Sequence, residues 1–93
     1  MIKNFKCKET QKIWEGVVSL RLARSMQDVA RRKLRMLNNA KSIIDLRVPP
    51  NNRLEVLKGD RAGQYSIRIN DQWRLCFQWA DGFAVDVIIE DYH

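Results

Sequence analysis

YSIRINDQWRLCFQW, residues 65–79, decides the architecture, because its hydrophobic period is two. Tyr65, Ile67 and Ile69 alternate with Ser66, Arg68 and Asn70, and after a break Trp73, Leu75, Phe77 and Trp79 alternate with Arg74, Cys76 and Gln78. Successive side chains of a strand point to opposite sides, so each run has one apolar face to bury. Downstream, Val85, Val87 and Ile89 alternate with Asp86, Ile88 and Glu90. Asn70-Asp71-Gln72 and Asp81-Gly82 supply tight connections, and the second half reads as an antiparallel meander. Its buried face carries Trp73, Leu75, Phe77, Val85 and Val87. The opposite face presents Arg68 and Arg74, with Lys58 at the end of an adjacent strand.

Working back toward the start, Leu54 to Leu57 adds a further strand, preceded by a loop at residues 45–52 where two prolines and two asparagines favour extended and turn conformations. Upstream the period becomes helical. Met26, Val29, Ala30, Leu34, Leu37 and Ala40 fall on one arc at 100° per residue, and Ser25 with Asp28 has the spacing of a capping box. Arg24, Arg31 and Arg35 point the other way, either as a solvated surface or as a contact for RNA or a protein partner. Lys33 lies inside the apolar arc and is expected to carry its amine to the edge. Residues 17–24 read as a connection. KETQKIWEG, residues 8–16, reads as a short helix stopped by Gly16, with Ile13 and Trp14 to bury. Ile2 and Phe5 suggest a short edge strand. The expectation is an α+β fold: N-terminal helices packed on one face of a four- to five-stranded, mainly antiparallel sheet, in one domain spanning residues 1–93.

Charge narrows the partners. Seventeen Lys and Arg against eleven Asp and Glu give +6. All the basic groups precede residue 80, whereas Asp81, Asp86, Glu90 and Asp91 close the chain. A basic body concentrates polyanions and releases their counterions, which makes nucleic acid the leading partner. A small basic protein that is merely soluble, or held by an acidic protein, is the plain alternative. No apolar run approaches the ~20 residues of a membrane span, and the polar start lacks a signal-peptide core, so a cytoplasmic location is expected. Cys7 and Cys76 match no metal spacing and are expected to be buried thiols rather than a disulfide or zinc site. No cofactor and no metal are expected.

LKGDRAGQYSIRINDQWRLCF, residues 57–77, followed by Asp91-Tyr92-His93, closely resembles the HigB branch of the RelE/ParE-like toxin superfamily. The resemblance is strong over roughly the last 40 residues. It implies a compact toxin that enters the ribosomal A site and cleaves translated mRNA. It also implies a neutralising, HigA-like antitoxin with a helix-turn-helix domain, and a toxin–antitoxin complex that binds operator DNA. Some relatives place a histidine a few residues before the LKGDR motif, where this chain has Glu55; His93 is therefore its sole imidazole.

RNA supplies its own nucleophile, the 2′-hydroxyl. A ribonuclease must then take that proton, steady the phosphate charge and protonate the leaving 5′ oxygen. On this reading Arg74 grips the scissile phosphate through its planar fork, and Lys58 is a second cation. Asp91 and His93 are the acid and base in either order, while Tyr92 stacks on a base or orients the phosphate. Arg53, Arg61, Arg68 and Gln72 flank these groups as candidate RNA or ribosome contacts. Plainer readings compete: Arg74 in a cross-strand pair with Asp86, Lys58 and Arg61 solvating the Gly59 turn, and a frayed terminal trio. From another class, a ParE-like relative of this fold would block DNA gyrase and cut nothing; a simple RNA-binding module is a third reading.

Overall fold

The computed structural model describes residues 1–92. Two α-helices, α1 (Lys8–Trp14) and α2 (Gln27–Asn39), precede four strands: β1 (Glu55–Val56), β2 (Gln64–Arg68), β3 (Trp73–Ala80) and β4 (Phe83–Asp91). The strands form one antiparallel sheet in the order β1-β2-β3-β4. The chain start adds a fifth row beside β4. Ile2 and Phe5 form parallel bridges to Ala84 and Val87, in place of the continuous edge strand expected there.

The alternation read from residues 65–79 is realised as a dry face. Ile67, Leu75, Phe77, Val87 and Ile89 meet Ile13, Ala30, Leu34 and Leu37 of the helices in one core. Burying each such side chain contributes roughly 1.5–3 kcal/mol, which is what presses the helices onto the sheet. Thr10 of α1 ties them further, its Oγ1 accepting the Ile89 amide at 3.0 Å.

Both hairpins close as their residues require. Asn70 Oδ1 accepts the amides of Gln72 and Trp73, an Asx-type turn. Asp81 and Gly82 both take positive φ, as a two-residue connection between twisted strands demands. The β3–β4 register shifts between Cys76 and Gln78. This bulge leaves Asp86 at φ 54°, and Asn4 stabilises it in both directions: Nδ2 donates to the Asp86 carboxylate and Oδ1 accepts the Asp86 amide. Asp86 is thereby committed to the chain start, and the residue facing Arg74 across the strands is Glu90. The Arg74–Asp86 pair does not form.

Three helical expectations are corrected. Ser25 makes no capping box, because it lies inside a 3-10 turn, Arg24–Met26, that leads into α2. The connection is secured instead by Gln27, whose amide group accepts from the Ser19 amide and donates to the carbonyls of Ser19 and Leu22. A capping box does form at Ser42 and Asp45. Arg31 is not wholly turned to solvent, since its Nε donates to the Ile13 carbonyl and binds α2 to the end of α1. Lys33 does not reach the edge: it is 9% exposed and gives its ammonium to Asn52 Oδ1.

Candidate active site

The sheet face away from the helices is polar and anchored by a buried arginine. Arg74 is 6% exposed. Its Nε donates to Ser66 Oγ at 2.8 Å, and its Nη2 donates to the Arg53 carbonyl at 2.6 Å and the Ser66 carbonyl at 3.3 Å. Arg53 takes the left-handed conformation, φ 46° and ψ 56°, which costs about 1–2 kcal/mol for a residue with a Cβ. That conformation aims its carbonyl at Arg74. Among the described residues, the carboxylate of Glu55 stands 4.0 Å from Nη2 and is half exposed. Among the described residues the guanidinium is thus fixed mainly by neutral dipoles, which orient its charge.

β4 brings the chain end to this arginine. Strand pairing sets Asp91 opposite Trp73 and Glu90 opposite Arg74. The β2–β3 turn then holds the end in place: the Tyr92 amide donates to the Gln72 carbonyl at 2.7 Å, and Gln72 Nε2 donates to Asp91 Oδ2 at 3.0 Å. The Tyr92 ring lies over the Arg74 guanidinium, 5.3 Å from its central carbon to the ring centroid, within cation–π range. Frayed-end behaviour is therefore not what Asp91 and Tyr92 show. His93 lies outside the described residues.

The remaining candidates divide. Arg61 is engaged within the chain: its guanidinium holds Glu90 through two bonds, at 2.6 and 3.0 Å, and Gln64 through two more. The Glu90 hydrogen bond above all holds the Arg61 pKa up. Cys76 Sγ donates to the same carboxylate, and burial first, then the Glu90 charge, pushes its thiol up to about 12. Cys76 is buried as expected, whereas Cys7 is only half-buried. Lys58 is exposed, and its carbonyl accepts the Arg61 amide at the Gly59–Arg61 turn. It thus belongs to the loop that the Arg61–Glu90 pair ties to β4. Arg68, at the end of β2, donates to Asp71 at 2.5 Å, and that bond lowers the Asp71 pKa.

Ser66, Glu90 and the Lys33–Asn52 pair were not singled out from the sequence as functional or anchoring. Glu90 was foreseeable from strand alternation once the Arg74 register is known. Ser66 was visible only as one polar position in an alternating run. Among the described residues, no group of three or more His, Cys, Asp or Glu is placed to hold a metal ion, and no helix is long and apolar enough to cross a membrane.

The chain is similar to known proteins along its length. The family model for a RelE-like toxin of the type II toxin-antitoxin system HigB matches residues 3–93. Toxin HigB-1 of Vibrio cholerae is 40% identical over 93 residues, covering 99% of this chain and 98% of the relative. Endoribonuclease HigB of Proteus vulgaris is 35% identical over 97 aligned positions and is covered in full, as is this chain. Among solved structures, a YoeB/ParE toxin from Agrobacterium tumefaciens superposes with a TM-score of 0.57 over 99% of this chain and 97% of its own, at 18% identity, a likeness of fold alone. With the motif, the fold and full-length similarity in agreement, this chain belongs to the HigB-like family of RelE-fold toxins of type II toxin-antitoxin systems.

Proposed function

We propose that this toxin is a ribosome-dependent endoribonuclease that cuts translated mRNA in the ribosomal A site through the RNA's own 2′-hydroxyl, without a metal. The observation that carries the reading is the fixed Arg74 guanidinium with the chain end packed over it. A guanidinium already oriented by Ser66 and Arg53 reorganises little when phosphate charge develops. The name of the Proteus vulgaris relative, an endoribonuclease, agrees with this chemistry.

In the proposed reaction the 2′-oxygen attacks phosphorus and loses its proton to a base. The bond from phosphorus to the 5′ oxygen breaks, and an acid protonates that oxygen. The products are a 2′,3′-cyclic phosphate and a 5′-hydroxyl. Asp91 and His93 are the proposed acid and base, Arg74 and Lys58 steady the phosphate, and Tyr92 stacks on a base beside it. Arg53, Arg68 and Gln72 support the strand or the ribosome around this centre. Arg61 acts through Glu90, holding the Lys58 loop in place. A single small cationic face binds RNA loosely, so the ribosome completes the positioning.

Membership of a type II system implies an antitoxin. The proposal extends this to a HigA-like helix-turn-helix protein, to operator DNA contacted through the complex, and to action in the cytoplasm. The test is to add the purified chain to translating ribosomes on a defined mRNA and map the ends. Cuts at A-site codons bearing cyclic phosphate are expected, and they should persist in chelator wherever ribosome integrity is controlled. Deleting His93 should depress cutting by about 10²-fold or more. Undiminished cutting would remove His93 from the mechanism. DNA-damage signalling without translation arrest after induction would replace the nuclease with a gyrase inhibitor.

A further inference from the structure

A cavity of about 300 Å³ opens between α2 and the end of β2, sharing only Arg68 with the candidate contacts named above. Three cations line it: Arg32 and Lys33 from α2, and Arg68 from β2. Its walls include Val29, Met36 and Ile69, and no acidic residue lines it among the described residues. Like charges gathered round one concavity repel, and low-dielectric walls strengthen that repulsion. The partners present relieve little of it. Lys33 has the neutral amide oxygen of Asn52, and Arg68 has Asp71, a carboxylate wholly open to solvent. Burial, followed by the charges of Arg32 and Arg68, lowers the Lys33 pKa. An anion in the cavity would offset all three charges together.

We propose that this cavity is a second phosphate subsite, which binds the backbone of the same RNA strand beside the linkage gripped at Arg74. The inference rests on the RNA reading of the Arg74 site and extends it. Position selects RNA over other anions. Arg68 and Arg74 are cross-strand partners, and neighbouring strands lie only about 4.8 Å apart. A strand anchored at Arg74 therefore meets the cationic rim with an adjacent phosphate. The Val29, Met36 and Ile69 walls offer an apolar surface to the attached base.

The test titrates the full chain with a short 2′-O-methyl single-stranded RNA, which lacks the free hydroxyl needed for cleavage, and follows fluorescence anisotropy across a salt series. Arg32 is exposed, so Arg32→Gln should keep the fold, checked by thermal melting. It should weaken binding roughly five-fold at low salt and reduce the magnitude of the log K against log salt slope by about 0.7. Lys8→Gln, an equal charge loss on α1, should change affinity much less. Wild-type affinity and slope for Arg32→Gln, alongside weakened binding by Arg74→Lys, would overturn the subsite and leave the nuclease reading standing. Weaker antitoxin binding by Arg32→Gln with RNA binding intact would also overturn it, making the cavity a peptide dock. Cleavage and RNA binding both untouched by Arg74→Lys would instead break the underlying nuclease reading.

Discussion

The two faces of the sheet are built from alternate residues of the same strands, yet they are held by different physics. Toward the helices, Ile67, Leu75, Phe77 and Val87 are buried among other apolar groups, and burial of that kind has no preferred direction. Toward the other side, Ser66, Arg74, Cys76 and Glu90 are joined to each other or to Arg53 and Arg61 by directed hydrogen bonds. Each polar bond adds only about 1 kcal/mol net, but an unpaired buried group costs more. One face therefore supplies stability, and the other supplies a fixed arrangement of charge. Substitutions on the two faces should separate folding from chemistry.

The sharpest separation comes from two positions three residues apart on β3, one on each face. Phe77→Ala should cost about 3–5 kcal/mol, because a fully buried ring leaves a cavity; urea unfolding measures it, and a loss below about 1 kcal/mol would refute a tightly packed helix face. Arg74→Lys keeps a charge but loses the planar fork. Cleavage on ribosomes should fall about 10²- to 10³-fold while the variant still melts cooperatively and still binds antitoxin. If it fails to fold, Arg74 is chiefly structural and the contrast between the faces collapses.

Smaller effects sharpen the picture. Glu90→Gln removes the charge that clasps Arg61 and should cost on the order of 1 kcal/mol, since both side chains are partly exposed. Cleavage should drop less than with Arg74→Lys, and adding salt should narrow the stability gap from wild type. Tyr92→Phe keeps the ring over Arg74, so its activity should stay closer to wild type than that of Tyr92→Ala. Smallest in energy is a reactivity contrast. With its thiol pushed up to about 12 by burial and Glu90, Cys76 should resist iodoacetamide at pH 8 in the folded protein and react after denaturation. Half-buried Cys7 should label first.

Much of the fold was legible because hydrophobic period is local. The runs at residues 65–69 and 73–79 read as strands, and the Val29–Leu37 stripe read as a helix, without knowledge of any partner. The edges were harder. Ser25 looked like a cap, but Gln27 captured the preceding loop instead, a competition that spacing alone does not decide. Arg74, Asp91 and Tyr92 were singled out from their motif, and strand pairing brings them to one margin. The clasp of Arg61 on Glu90 was not legible, because the two lie 29 residues apart. Lys33, expected to carry its amine to the edge, is buried instead against Asn52, 19 residues on.

By itself the sequence determined the elements, most of their buried faces and a basic body with an acidic end, since each follows from side-chain period or from counting charges. Val85 is the exception, because the bulge sets it opposite Gln78 and puts Ala84 in the core. Tertiary structure alone decided which acid each cation meets and which carbonyl fixes Arg74. Those choices depend on the bulge that shifts β4 against β3 and on the left-handed turn at Arg53. Hydrogen bonds act over about 3 Å, so a one-residue change of register exchanges every partner while leaving the hydrophobic pattern along the chain unaltered.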